Sequence, residues 1–235
     1  MHREERKYKE LRRLSQELHL PIPEAFWEIE VRDGSGRVTR RFRQRSHSWV
    51  RNACNLMFGA LAGKNLSSSG FGPGYLSLKD TGNVVRYGAG ITIGYSALSW
   101  DGTDWGLRGP AGEDRWGILV GSGTNPENFE DYALQTKIAN GTGAGQLSYV
   151  ASEAHVITWL PVALTLKNEL ARYFNNNSGA EVNVNEVALA CKGYILGTSA
   201  PAYYMLARDL LVATVTVPDT GQLKVTYTVQ LAYPA

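Results

Sequence analysis

The sequence predicts a mainly β protein, an antiparallel β-sandwich of jelly-roll-like kind with a charged N-terminal helix and one short buried helix. Three observations predict it. Apolar and polar residues alternate along 163–174, 181–190 and 210–217, and again along 222–231. Side chains on a strand point to opposite faces in turn, so a period of two marks strands with one dry face and one wet face. The 25 glycines supply many turns, while 43% hydrophobic and 20% charged residues are ordinary for a globular chain. A length of 235 residues is enough to bury a sizeable core.

Residues 1–20 read as a charged helix, because Tyr8, Leu11, Leu14 and Leu18 recur at three- and four-residue spacing among Arg, Lys and Glu. Pro21 and Pro23 end it. So narrow a stripe makes no core alone, and residues 1–23 are expected to be an arm that docks on a neighbour, either within the domain or in another subunit, with 24–235 a single sandwich domain. Residues 25–32 and 37–43 flank the glycine-rich turn from Asp33 to Gly36 and predict a hairpin whose exposed face carries arginines. Ser46 or Ser48 is expected to cap a helix over 49–61, which is apolar on more than one side and therefore buried.

A loop-rich insertion follows at about 63–115, with short strands expected at 75–78, 84–87 and 91–95, a turn from Asp80 to Asn83 and a reversal from Trp100 to Trp105. Strands are next expected at 116–120 and 132–138, and another starting at Gln146 after the turn Asn140 to Gly145. Pro161 breaks the run at Trp159 and Leu160. Asn175 to Gly179 is a turn on composition, and Pro218 to Gly221 is expected to close a terminal hairpin.

Several classes of function find no support in these residues. No apolar run approaches the roughly 18 residues a membrane helix needs, and the N-terminus is charged where a signal peptide is apolar. The expectation is a soluble chain without a membrane partner. Cys54 and Cys191 lie far apart without CxxC spacing and read as two buried thiols. His2, His19, His47 and His155 are scattered, so no metal site is expected. The glycines at Gly88, Gly90 and Gly94, at Gly121 and Gly123, and at Gly141, Gly143 and Gly145 are not followed by a helix, so no phosphate cradle and no cofactor is expected.

Catalytic groupings fare no better. Ser152, Glu153 and His155 lack a nucleophile elbow. The acid pairs Asp101 with Asp104, Glu113 with Asp114 and Glu130 with Asp131 show no sign of lining a shared cleft. Asp101 and Asp104 have oxygen ligands in a glycine-rich turn, as calcium requires, but not the EF-hand spacing. No catalytic residue is assigned.

What remains is a candidate interaction surface. The net charge of +2 conceals a stretch in which Arg37, Arg40, Arg41, Arg43, Arg45 and Arg51 occur with no acid between them. Such a cluster suits an acidic protein surface, ranked above nucleic acid because no base-stacking aromatics are interleaved with it. Trp27, Trp49, Trp100 and Trp105 are candidate contact anchors, since aromatics supply large area at low entropic cost.

A resemblance covers the second half. The order of 116–124 (WGILVGSGT), 130–134 (EDYAL), Ile138 with Gly141, 171–179 (ARYFNNNSG), 184–189 (VNEVAL), 207–211 (ARDLL) and 223–229 (LKVTYTV) resembles virion structural proteins of tailed bacteriophages, and more weakly so does 45–52 (RSHSWVRN). The resemblance implies a particle component located in the virion and assembled in the host cytoplasm, at head, neck or tail, with no active site to carry over.

The functional expectation is therefore a non-enzymatic structural subunit of a bacteriophage particle that works as a homo-oligomer among other virion proteins, through sandwich faces and the N-terminal arm. The alternative is a receptor- or carbohydrate-binding module of a tail or surface fibre, with Trp100, Asp101, Asp104 and Trp105 stacking on and hydrogen-bonding a sugar. A glycoside hydrolase ranks last.

Overall fold

The alternating tracts become two packed antiparallel sheets in the computed structural model, which describes residues 2–62, 70–72, 74–86, 106–194 and 200–233. The elements are α1 (His2–Leu18), β1 (Ile22–Arg32), β2 (Val38–Ser46), α2 (Arg51–Ala62), β3 (Leu78–Lys79), β4 (Val85–Arg86), β5 (Gly117–Gly121), β6 (Ser148–Tyr149), β7 (Val156–Leu160), β8 (Thr165–Asn175), β9 (Val182–Tyr194), β10 (Pro201–Val217) and β11 (Gln222–Ala232). The larger sheet has the order β2-β1-β11-β8, with β6 and β7 both pairing β8 on its far side. The smaller one has the order β10-β9-β5. The fold is mainly β and sandwich-like, as the alternation predicts, with two helices among the described residues.

The core lies between the sheets. Trp27, Ile29 and Val31 of β1, Leu223, Val225 and Tyr227 of β11 and Leu170 and Phe174 of β8 meet Val184 and Val187 of β9 and Met205, Val215 and Val217 of β10. Each buried side chain of this size contributes about 1.5–3 kcal/mol. A second, smaller core gathers Leu56 of α2, Leu78, Cys191, Ala202 and Tyr204 on the outer face of the small sheet.

Four sequence expectations are corrected. Pro218 to Gly221 closes no hairpin, because β10 pairs β9 while β11 pairs β1 and β8, so this turn carries the chain from one sheet to the other. The Asn176 amide holds it, donating to the carbonyls of Ala180, Val217 and Pro218 at 2.8–3.1 Å. Residues 132–138 form no strand: only an isolated bridge from Gly121 to Lys137 remains, because this segment is drawn into side-chain hydrogen bonds with Glu186. Neither Ser46 nor Ser48 caps α2. The Ser46 hydroxyl donates to Asp209, and the helix begins on the Val50 carbonyl, which accepts from the amides of Ala53 and Cys54.

The fourth concerns what α2 buries. Its buried residues are Asn52, Asn55, Leu56 and Gly59, whereas Leu61 is 90% exposed. Asn52 exchanges a reciprocal pair of hydrogen bonds with the Lys79 backbone and donates to the Met205 carbonyl, while Asn55 donates to Ser77. Amide side chains substitute here for a neighbouring strand, satisfying backbone that would otherwise be stranded. The expected strand at 91–95 lies outside the described residues, and those at 75–78 and 84–87 shrink to β3 and β4 around the turn at Asp80.

Candidate interaction surface

Four arginines of the cluster, Arg37, Arg41, Arg45 and Arg51, pair with carboxylates of their own chain, and of the six only Arg45 is buried. β2 pairs β1 so that Arg41 faces Glu30, Arg43 faces Glu28 and Arg45 faces Phe26. Alternation puts these arginines on the face of the large sheet turned away from the core, beside Glu24. Arg41 pairs with Glu30, and Arg37 with Asp33 at 3.2 Å. Arg45 is buried, donating to Glu24 at 2.8 Å and Glu5 at 2.9 Å, with Tyr8 stacked over its guanidinium at 3.8 Å. Arg43 lies over the Phe26 ring at 3.8 Å, and Arg40 donates to the Thr214 carbonyl. Arg40 and Arg43 therefore keep their charge without a carboxylate partner among the described residues.

The buried end of this cluster seats α1. Glu5, Tyr8, Arg12 and Ser15 follow helical spacing on one face, where Arg12 adds a second pair to Glu24 at 2.8 Å. Burial pushes the Glu24 carboxyl up, but hydrogen bonds from Arg12, Gln230 and Arg45 outweigh it and the net direction is down. The hydrogen bond from Arg45 likewise holds Glu5 below its ordinary value. Leu11, Leu14 and Leu18 occupy a different face and stay exposed, Leu18 at 62%. The helix docks on the sandwich of its own chain through its polar face, and its apolar stripe is left open. A cavity of about 170 Å³ remains under the helix, lined by Tyr8, Glu24, Arg45, His47 and Trp49 among others.

Of the four tryptophans, Trp27 is fully buried and Trp49 partly buried against the core, so neither is a surface anchor. Both carry an indole N–H that needs a partner in such a place. Trp27 donates to Asp209 at 2.7 Å and Trp49 to the Tyr227 hydroxyl at 2.9 Å. Trp100 and Trp105 lie outside the described residues, as do Asp101 and Asp104.

Three buried charges that the sequence left unremarked organise the loops. Asp209, removed from solvent, accepts from Trp27 and from the Ser46 hydroxyl on one oxygen, and from the amides of His47 and Ser48 on the other. His47, Glu127 and Asp209 bring potential metal-ligand atoms within 4.8 Å of one another. The Asp209 carboxylate is already saturated by four donors, and Glu127 accepts from the Leu210 amide, so the grouping is accounted for by protein hydrogen bonds. Arg172 donates to five backbone carbonyls, those of Pro110, Glu113, Trp116, Ile118 and Val150. Glu186 accepts from the amides of Gly123, Gln135 and Thr136 and from Arg208.

The glycines at Gly121 and Gly123 acquire a reason here. A Cβ at either would lie 2.5 Å from Glu186 Oε1. The loop has the cradle-like look of a phosphate site because it does hold an anion, and that anion is the protein's own carboxylate. The acid pairs also separate, with Glu113 on Arg115, Asp114 on Lys137, Glu130 on Arg51 and Asp131 on Arg208. His155 meets Asn168 at 3.1 Å, and the buried Ser152 hydroxyl accepts from the Gly109 amide.

The two outer edges of the large sheet differ sharply. β2 carries its arginines and is further covered where Gln44 exchanges hydrogen bonds with the backbone of Leu210 and Val212 in β10. β7, at the opposite edge, pairs only with β8 among the described residues. Its side chains are exposed or half-exposed on both faces: Ile157 is 69% exposed, and Val162 in the turn that follows is fully exposed. Trp159 packs against Tyr233 with ring centroids 5.4 Å apart, and both remain open to solvent. Residues 154–166 contain no Asp, Glu, Lys or Arg, a signal legible in the sequence itself. Comparison with family models, with curated proteins and with solved structures finds no match for this chain.

Proposed function

We propose that the chain is a non-enzymatic structural subunit of a tailed-bacteriophage particle, joining other virion proteins through α1 and the exposed surfaces of the sandwich. The observation that supports this best is the orientation of α1. A helix of 17 residues is fastened to its own domain by ion pairs and one aromatic contact, while Leu11, Leu14 and Leu18 face outward. A leucine stripe that contributes nothing to its own core is what an arm offers to a neighbouring subunit. The order of motifs from Trp116 to Val229 is what points to a virion as the assembly.

Deleting residues 1–20 tests the arm. Arg45 and Glu24 remain paired with each other without it, so the sandwich is expected to keep a cooperative melt while incorporation into particles falls. Normal incorporation of a folded, truncated chain would overturn the anchoring role. Absence of the full-length chain from purified particles would overturn the virion reading itself.

A further inference from the structure

An unprotected sheet edge is rare in a soluble protein, because free N–H and C=O groups on an apolar strand recruit another strand. Natural edges are blunted by charge, proline or a bulge, or are covered. Among the described residues the large sheet has one edge of each kind. β2 presents arginines and leans on β10, whereas β7 reads Val-Ile-Thr-Trp-Leu with no charge and no proline until Pro161 ends it.

The register adds where the apolar side chains lie. Trp159 faces Leu166, Leu166 faces Leu231 and Leu231 faces Pro23, a row on the core side of the sheet. Leu166 and Trp159 at the far end of that row are exposed, so the core face runs on past its cover. Val156 and Leu160 occupy the other side of the same strand.

We infer that β7 is a dimerisation edge, which pairs antiparallel with β7 of a second copy about a two-fold axis at Thr158 and so joins the two large sheets into one. Three features select a second copy over a different partner. An uncharged strand offers no charge for a foreign surface to complement, whereas an identical strand matches it. Antiparallel pairing centred on Thr158 sets Val156 against Leu160 and Ile157 against Trp159 of the partner, a small apolar side chain against a large one on both faces. The exposed apolar side chains of Val156, Ile157, Trp159, Leu160, Val162 and Tyr233 lie along this one edge, so a second copy of the same edge sets apolar side chains against apolar ones.

This pairing deepens the assembly reading but is tested apart from any particle, on the purified full-length chain. Sedimentation velocity is expected to give a dimer. Ile157→Lys, at an exposed position, is expected to raise the dimer Kd at least about 100-fold with the thermal melt unchanged, since two lysines would enter an apolar seam. Thr158→Cys supplies an independent readout: oxidation is expected to link two chains through Cys at 158, a product that the parent chain with Cys54 and Cys191 does not form. A monomer at the highest attainable concentration would overturn the proposal. So would a dimer that survives Ile157→Lys and does not cross-link at 158. Particle incorporation by a monomeric Ile157→Lys variant would leave the virion reading standing while removing a role for the β7 pair within it.

Discussion

Glu186 and Arg208 form an ion pair at 2.7 Å with both side chains withdrawn from solvent. Each has further partners: Glu186 takes three backbone amides, and Arg208 reaches Asp131 at 2.8 Å and the carbonyl of Asn125 at 3.0 Å. Burial disfavours the Arg208 cation, but the hydrogen bonds it donates to Glu186 and Asp131 outweigh this and the net direction is up. The pair thereby pins the loop between β5 and β6 to the small sheet. Glu186→Ala is expected to destabilise the fold by about 3 kcal/mol, because it leaves the buried Arg208 Nε and three backbone amides without their acceptor while Asp131 still holds the other side of the guanidinium. Replacing both residues by apolar ones of similar volume should cost clearly less than Glu186→Ala alone, and chemical denaturation of the variants measures the difference.

Gly121 is fixed by the same carboxylate. A Cβ there would lie 2.5 Å from Glu186 Oε1 and 2.7 Å from the Thr136 carbonyl, neither of which can retreat without losing its hydrogen bonds. Gly121→Ala is expected to cost about 3 kcal/mol, the upper end of overpacking. Gly36 is the contrast. It has φ of 83° and open space around its Cβ position, so Gly36→Ala costs only the left-handed backbone penalty of about 1 kcal/mol. Equal losses at the two sites would contradict the steric account.

Arg172 ties the segment after the insertion onto β8. Its five carbonyl acceptors come from both sides of the turn at Gly112, and burial pulls its pKa down to about 10, which leaves it protonated at neutral pH. Lysine carries three donors at one point and cannot span that fan of acceptors. Arg172→Lys is expected to lose about 2–3 kcal/mol and to raise hydrogen exchange first in residues 109–118. Exchange that rises uniformly would mean Arg172 supports the whole sandwich and not this segment.

The fold was legible in the sequence where a single face decided burial. Residues 163–174, 181–190 and 222–231 alternate cleanly, and β8, β9 and β11 follow them. Pairing was less legible. Nothing local in Pro218 to Gly221 says that the flanking strands part into different sheets, since a hairpin and a crossing share the same turn residues. Arg45 looked like its neighbours in an exposed patch, because its partners Glu5 and Glu24 are distant in sequence. Trp27 looked like an anchor for the same reason: the core residues that bury it, such as Val215 and Tyr227, and the acceptor of its indole N–H, Asp209, 182 residues away, are all distant in sequence. Long-range ion pairs leave no periodic trace, whereas the uncharged run at 154–166 did leave one.

Acid should release α1 before the sandwich unfolds. Glu5 and Glu24 are both held below their ordinary value of 4.5 by the arginines that seat the helix. A carboxylate whose folded pKa is depressed contributes stability that is fully present above the unfolded value and is lost as pH falls through the folded one. The docking contribution is therefore intact at neutral pH and declines below about 4.5. Arg45, whose ion pairs with Glu5 and Glu24 push it up, stays charged throughout that range, so the carboxylates set the window. Hydrogen exchange of residues 2–18, corrected for intrinsic rates, is expected to rise across this window while β1, β8 and β11 stay protected. Glu24→Gln should lower the protection of residues 2–18 already at neutral pH, since it leaves Glu5 as the remaining acidic partner of Arg45. Protection of α1 that persists until the strands themselves exchange would mean that packing, and not these ion pairs, holds the arm.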